Sequence, residues 1–227
     1  MTTTTLDFDR ARFNMIEQQI RPWDVLDPSV LGLLAVVKRE DFVPPAYRSL
    51  ALADVEVPLN VEGAAKGEKM FQPRVEARVL QELAVGPDDT VLEIGTGSGF
   101  MAALLAARAR HVTTVEIDPA LARFAEANLA RAGVRNAKVV VADGARGLPQ
   151  LGEFDVIVIS GGLPLLPPAF AAQLKIGGRL AAFVGSGVVM EALLLTKTGA
   201  QSATQRNLFE TRVALLRNAE QPSTFRF

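Results

Sequence analysis

Strands and helices alternate through the middle of the chain, and this alternation constrains the fold more than any other feature of the sequence. Apolar segments of strand length lie at 89–94, 112–117, 137–141, 154–159 and 178–184, and helix-length segments lie between them at 98–108, 119–132 and 167–174. Such alternation predicts right-handed crossovers and a parallel sheet with helices on both faces. We therefore predict an α/β, Rossmann-like, doubly wound sheet.

The two ends of the chain break this rhythm. Helical spacing of apolar residues predicts helices over 9–20, ended by Pro22, and from Asp27-Pro28 through Val37. After residue 184, runs at 190–197 and 207–216 have no helix between them, which predicts an antiparallel pair of strands at the sheet edge.

The segment 52–72 shows no clear periodicity. A loop of this length is usually a lid or binding loop, or else disordered. Pro73 then begins a helix with an apolar stripe. We predict one structural unit with two parts, a helical N-terminal extension and loop over 1–72 and a ligand-binding domain over 73–227.

A glycine-rich turn follows the first strand of this domain, where residues 91–99 read Val-Leu-Glu-Ile-Gly-Thr-Gly-Ser-Gly. Glycine lets the backbone approach a ligand without a Cβ clash. The dinucleotide fingerprint would place a glycine at position 100, but this chain has Phe100 there. The negative charge of Glu93 favours the ammonium and sulfonium groups of S-adenosylmethionine over a pyrophosphate. The alternative is a tight strand-to-helix connection without a ligand.

Acidic residues also end the next two strands. Glu116 is placed to receive ribose hydroxyls, or it caps the following helix, a role that suits Asp118 better. Asp143 is placed to accept from an adenine amino group, or it forms an Asp-Gly turn with Gly144. The predicted cofactor site consists of Glu93, Gly95, Thr96, Gly97, Ser98, Gly99, Glu116, Ile117, Asp143 and Gly144.

Composition excludes several classes of function. The chain has no cysteine and one histidine, so disulfides, thiol nucleophiles and most zinc sites are excluded, and we expect no metal. A net charge of −1 gives no basic field for nucleic acid. No apolar stretch approaches the ~20 residues that span a bilayer. The first residues lack the basic and apolar regions of a signal peptide, so we expect a cytoplasmic location.

Several motifs resemble those of a known family. The glycine turn, Glu116 and Asp143 resemble the seven-stranded S-adenosylmethionine-dependent methyltransferases. Residues 15–20, 39–44, 67–73 and 174–180 are similar to the protein-L-isoaspartate O-methyltransferases within that class, and the similarity runs from about residue 11 to 216. The resemblance implies a seven-stranded sheet and methylation of the free carboxylate of isoaspartyl residues, which starts the repair of aged protein.

One loop departs from the family pattern. The family's loop resembles Gly-Gln-Thr-Ile-Ser-x-Pro, with the serine beside the substrate carboxylate, whereas residues 67–73 here read Gly-Glu-Lys-Met-Phe-Gln-Pro. Phe71 thus stands where the serine is expected. Loss of a hydrogen bond to a charged group costs about 1.5–3 kcal/mol, which would slow the reaction roughly 10- to 150-fold.

Two interpretations of this loop remain open. Phe71 is either a packing residue in a weakened repair enzyme, or it lines a pocket for another substrate or blocks catalysis in a protein that only binds the cofactor. We predict that Met70, Phe71 and Gln72 contact the substrate, a protein or peptide with isoaspartyl residues or an unknown small acceptor. Lys69 either assists anion binding in the same loop or is a solvated surface lysine. The sequence does not identify a catalytic residue or an oligomeric state.

Overall fold

The computed structural model describes residues 7–187 and 189–222. Its helices are α1 Phe8–Met15, α2 Pro28–Val36, α3 Pro73–Leu83, α4 Phe100–Ala106, α5 Pro119–Arg131 and α6 Pro168–Ala172. Its strands are β1 Val57–Pro58, β2 Lys69–Met70, β3 Thr90–Ile94, β4 His111–Glu116, β5 Ala137–Val141, β6 Phe154–Leu163, β7 Leu174–Val184, β8 Met190–Gly199 and β9 Ser202–Thr211. The first residues of the chain, on which the expected cytoplasmic location depends, are mostly outside these ranges.

Seven strands form one twisted sheet in the order β5-β4-β3-β6-β7-β8-β9. The strands from β5 to β7 are parallel, and β8 and β9 are each antiparallel to the strand before them. This confirms the predicted α/β sheet with its antiparallel C-terminal pair. The central position of β3 places the glycine turn that follows it between the neighbouring strand ends of β4 and β6.

Several boundaries in the C-terminal half differ from the prediction. Strand β7 begins at Leu174 and not at residue 178, and the helix before it ends at Ala172 and not at residue 174. Strand β6 continues to Leu163, since Gly162 pairs with Phe183 on β7 and also forms an isolated bridge with Leu215. The predicted final run at 207–216 is shifted, because β9 begins at Ser202 and ends at Thr211. Residues 213–219 leave the sheet and cross the ends of its strands. We call Val213–Ala219 the C-terminal strap.

The first predicted helix also differs in detail. Helix α1 ends at Met15, a π-helical turn covers Ile16–Ile20, and a 3₁₀ turn covers Arg21–Trp23. Pro22 does not stop the chain's helical path, because proline fits the first turn of a helix, where its missing N–H is not needed. The turn ends instead at Asp24, which has a left-handed backbone with φ of 59°.

The N-terminal extension packs onto the sheet domain through a shared core. Ile20, Phe42 and Leu59 are buried in the same apolar cluster as α3 and α4. Trp23 meets Phe209 of β9 edge-on, with ring centroids 5.0 Å apart. The extension therefore lies on one face of the sheet and delivers the segment 52–72 to the carboxyl ends of the strands. Among the helices within the described ranges, none has the length and apolar character needed to cross a membrane.

Candidate functional site

A cleft lies at the carboxyl ends of β3, β4, β5 and β6. In open α/β sheets this edge, next to the point where the strand order reverses, is where ligands bind. The cleft is lined by Gly95 and Gly97 after β3, Glu116 at the end of β4, Asp143 after β5 and Ser160 in β6. Three of the four strand ends thus contribute the residues that the sequence predicted for them.

The glycine turn needs glycine for steric reasons. Gly95, Gly97 and Gly99 have φ of 94°, 53° and 82°, in the left-handed region that other residues rarely adopt. A Cβ on Gly95 would also lie 2.9 Å from the carbonyl oxygen of Ser160. Gly99 has a different role, because its Cβ position is 3.3 Å from Ala125 of α5 and it lines no part of the cleft. Gly99 allows α5 to pack closely, whereas Gly95 and Gly97 face the ligand space.

Glu116 is buried at the floor of the cleft. Its carboxylate accepts hydrogen bonds from the backbone N–H groups of Gly97 (2.9 Å) and Asp118 (3.0 Å), which ties the glycine turn to the next strand end. Asp118 caps α5 by accepting from the N–H of Ala120. Burial opposes its ionisation, but backbone hydrogen bonds from Ala65 and Ala120 outweigh this and lower the pKa of Asp118. Helix capping thus falls to Asp118, and Glu116 remains directed at the cleft.

Asp143 is exposed on the wall of the cleft. It accepts hydrogen bonds from the backbone N–H of Ala145 (3.1 Å) and from the side chain of Asn218 (2.8 Å). The following Gly144 has no room for a side chain, since a Cβ there would lie 2.8 Å from Ile94 Cδ1. The Asp-Gly turn therefore forms part of the cleft wall. Asp143 can form this turn and still face a ligand in the cleft, so its two interpretations do not exclude each other.

Glu93 is fully buried beneath the glycine turn, where it borders a small cavity that adjoins the cleft. Its carboxyl oxygens accept from the hydroxyls of Thr114 (2.7 Å) and Ser160 (3.0 Å), and Thr96 bonds in turn to Thr114 (2.6 Å). Burial raises the pKa of Glu93 to about 8, although the hydrogen bonds from Thr114 and Ser160 act in the opposite direction. Without a cation beside it, Glu93 is therefore largely protonated at neutral pH.

The segment 52–72 folds over this end of the cleft, with β1 and β2 pairing as a short antiparallel ribbon. We call Glu68–Gln72 the flap. Phe71 borders both the cleft and the small cavity, and its ring packs edge-on against Phe183 with centroids 5.0 Å apart. Phe71 is thus at once a packing residue and part of the wall of the site. Met70 is buried and reaches only the small cavity, and Gln72 lines neither space.

A buried arginine fixes the position of the flap. Arg39 donates to the backbone carbonyl of Phe71 (2.5 Å) and to that of Ala51 (2.9 Å), and it forms an ion pair with Glu76 of α3. Its guanidinium also lies over the ring of Phe100, 5.0 Å from the centroid. The N-terminal extension, the flap and the start of α3 are therefore held by a single side chain.

The C-terminal strap closes the remaining side of the cleft. Its backbone pairs with β6, as Gly162 N–H donates to Ala214 (2.8 Å) and Leu216 N–H donates to Gly162 (2.9 Å). Arg217 reaches the carboxylates of Glu68 on the flap and Asp118 before α5, both at 3.3 Å. The strap thereby connects the flap with the strand ends across the cleft.

The structure brings most of the predicted site residues together. Gly95, Gly97, Glu116, Ile117, Asp143 and Gly144 line the cleft, Glu93, Thr96 and Ser98 line the small cavity, and Gly99 lines neither. Sequence analysis missed Ser160, which the rule of strand carboxyl ends could have identified. It also missed the strap, for which the sequence carries no local signal.

Comparisons with known proteins agree with this geometry. A family model described as protein-L-isoaspartate(D-aspartate) O-methyltransferase matches residues 10–220. A protein-L-isoaspartate O-methyltransferase of Rhodopseudomonas palustris (strain ATCC BAA-98 / CGA009) is 41% identical over 207 residues, which cover 91% of this chain and 93% of that relative. Another, from Koribacter versatilis, is 40% identical over 183 residues, covering 81% and 79%.

Two solved structures share the fold. A protein-L-isoaspartate O-methyltransferase superposes with a TM-score of 0.78 at 25% identity, and the match covers 90% of this chain and 65% of that one. A Plasmodium falciparum structure assigned to the same activity, in complex with S-adenosyl-L-homocysteine, gives a TM-score of 0.73 at 18% identity, covering 94% and 99%. The fold of this chain is therefore a known one.

Proposed function

The chain belongs to the protein-L-isoaspartate(D-aspartate) O-methyltransferase family and is an S-adenosylmethionine-dependent methyltransferase, and we propose that its acceptor is the free carboxylate of isoaspartyl residues in damaged protein. S-adenosylmethionine supplies a methyl group activated on a sulfonium sulfur. The observation that carries the proposed acceptor is the match of residues 10–220 to this family, and the carboxylates around the glycine turn support the cofactor. A cytoplasmic location remains a prediction, which cell fractionation would test.

The residues that line the cleft fit this cofactor. Glu116 and Asp143 offer carboxylate oxygens to ribose hydroxyls and an adenine amino group, and the glycine turn leaves backbone exposed for close contact. The same carboxylates would repel a pyrophosphate. Glu93 lies below the turn with no cationic side chain bonded to it among the described residues, and the positively charged end of the cofactor would supply the missing charge.

The acceptor carboxylate needs no proton removed, because it is ionised at neutral pH. Catalysis then consists of aligning the acceptor oxygen with the methyl group and excluding water. The flap and the strap supply this enclosure, with Phe71 and Leu216 as apolar walls of the cleft. Among the described residues that line the cleft or the small cavity there is no histidine or cysteine, and Lys69 is paired with Glu56, which suits such a reaction.

A methyl-transfer assay with an isoaspartyl peptide tests the proposal. We expect transfer to the isoaspartyl peptide and none to the same peptide with normal aspartate. Binding of S-adenosylmethionine without transfer to either peptide would overturn the proposed acceptor and favour a protein that binds the cofactor without this reaction.

Two variants at position 71 distinguish the effect of the phenylalanine ring on activity from the effect of the missing serine hydroxyl. Phe71→Ser restores a hydroxyl beside the cleft, and Phe71→Ala removes the ring alone. We expect Phe71→Ser to exceed Phe71→Ala in kcat/KM by roughly 10-fold or more, because a hydrogen bond to a carboxylate contributes about 1.5–3 kcal/mol. Equal values for the two variants would show that position 71 no longer faces the acceptor carboxylate.

A further inference from the structure

The residues around the site contain few positive charges. Among the described residues that line the cleft or the small cavity, the lysines and arginines are Lys69 and Arg217. Arg217 borders only the cleft, and it already lies 3.3 Å from two carboxylates, Glu68 and Asp118. Lys69 borders both spaces and contacts one carboxylate, Glu56, at 2.9 Å. Lys69 is therefore the cation that can most readily take another partner.

The surroundings make such a cation necessary for an anionic acceptor. Glu68, Glu116 and Asp143 all line the cleft. This excess of negative charge suits a cationic cofactor but opposes the approach of a second anion. An acceptor carboxylate that leaves water for this site needs a compensating charge or strong donors close to it.

The flap places Lys69 on the wall of the cleft and of the small cavity, next to Phe71. Strand β2 covers Lys69–Met70, where successive side chains face opposite sides, and Lys69 lines the cleft together with Phe71 whereas Met70 does not. The burial of Met70 in the core agrees with this alternation. Because Arg39 holds the carbonyl of Phe71 and Phe183 holds its ring, the position of Lys69 relative to the cleft is also constrained.

The present partner of Lys69 is exchangeable. The side chains of Lys69 and Glu56 are 45% and 27% exposed, and exposed ion pairs of this kind contribute little net free energy. The flexible lysine stem can turn from Glu56 to another carboxylate without any change in the backbone.

We propose that Lys69 binds the carboxylate of the methyl acceptor, exchanging Glu56 for it, and so replaces the anchoring group that Phe71 does not provide. This inference rests on the proposed function, since it assumes an anionic acceptor. Lys69 is a substrate-binding residue in this scheme and does not take part in bond making.

Equilibrium binding of an isoaspartyl peptide to the full chain saturated with S-adenosyl-L-homocysteine tests the proposal. We expect Lys69→Met to weaken peptide binding roughly 10- to 100-fold, the range of a lost charge-assisted hydrogen bond. Lys69→Arg should stay within a few-fold of the wild type. Lys66→Met is the matched control, since this exposed lysine of the same loop does not line the cleft or the cavity, and it should leave binding within twofold.

A second peptide isolates the charge of the acceptor. When the free carboxylate of the isoaspartyl residue is converted to an amide, Lys69→Met and the wild type should bind the peptide equally. Binding of S-adenosyl-L-homocysteine checks that each variant retains the folded cofactor site.

The possible results separate this inference from the proposed function. Methyl transfer by the wild type together with unchanged peptide binding in Lys69→Met would overturn the role of Lys69 and leave the function intact. Lys69-dependent peptide binding without methyl transfer would support Lys69 and overturn the function. Failure of the wild type to bind the isoaspartyl peptide would overturn the inference directly.

Discussion

Replacing Glu93 by glutamine should make the protein more stable at alkaline pH. Burial raises the pKa of Glu93 to about 8, against an ordinary value of 4.5, so the folded state holds the proton over a pH range in which the unfolded state has lost it. The stability that comes from this protonated form is complete below pH 4.5 and is lost as the pH rises through 8. Between pH 5.5 and 8.5 the loss amounts to about 3 kcal/mol, since one pKa unit corresponds to about 1.4 kcal/mol.

Urea unfolding of the wild type and Glu93→Gln at pH 5.5, 7 and 8.5 measures this effect. Glutamine is a neutral group of the same shape and does not titrate, so the difference between the two proteins isolates Glu93 from every other titrating group. We expect similar free energies of unfolding at pH 5.5 and an advantage of about 3 kcal/mol for Glu93→Gln at pH 8.5. Parallel pH profiles for the two proteins would refute the reasoning, because they would show that Glu93 titrates alike in the folded and unfolded states.

Three other substitutions test the residues that line the cleft or hold the flap in place. Gly95→Ala places a Cβ 2.9 Å from the Ser160 carbonyl at a φ of 94°, so we expect a loss of about 1–3 kcal/mol of stability by urea unfolding and at least tenfold weaker S-adenosylmethionine binding by calorimetry. Glu116→Gln should weaken cofactor binding roughly 10- to 100-fold, and an unchanged Kd would remove Glu116 from the site. Arg39→Met leaves Glu76 buried without its partner and should lower the free energy of unfolding by about 3–5 kcal/mol, whereas a loss below 1 kcal/mol would mean that the pair does not hold the flap.

The fold could be predicted from the sequence because its signals are local. Strands β3, β4 and β6 are apolar runs, each followed by a turn and a helix start, as where Asp118 and Pro119 begin α5 after β4. The sequence prediction places the final strand at 207–216, later in the chain than β9 at Ser202–Thr211, and the difference has a physical reason. Residues 213–216 have the apolar character of a strand but pair with the end of β6 outside the main ladder.

The residues predicted to bind the cofactor could be identified from the same local signals. Parallel strands bring their carboxyl ends to one edge, so Gly95, Glu116 and Asp143 were expected to meet there, and they line one cleft. What these residues bind individually stays a prediction. Gly99 illustrates the limit, since the same glycine pattern serves both ligand approach and helix packing, and only the position of α5 separates the two.

The other part of the site, formed by the flap and the strap where we propose that the acceptor binds, could not be predicted in this way. It is assembled from distant parts of the chain. Position 71 is shaped by Arg39 from the N-terminal extension and Phe183 from β7, while Arg217 joins the flap to the strap. None of these pairings has a spacing in the sequence that would reveal it. The cofactor and the acceptor also require opposite charges in the site, since carboxylates that hold a cationic cofactor repel an anionic acceptor. A loop that can present a single exchangeable lysine to the acceptor meets both demands, and for this reason the family's serine position can hold Phe71 without loss of an anchoring group.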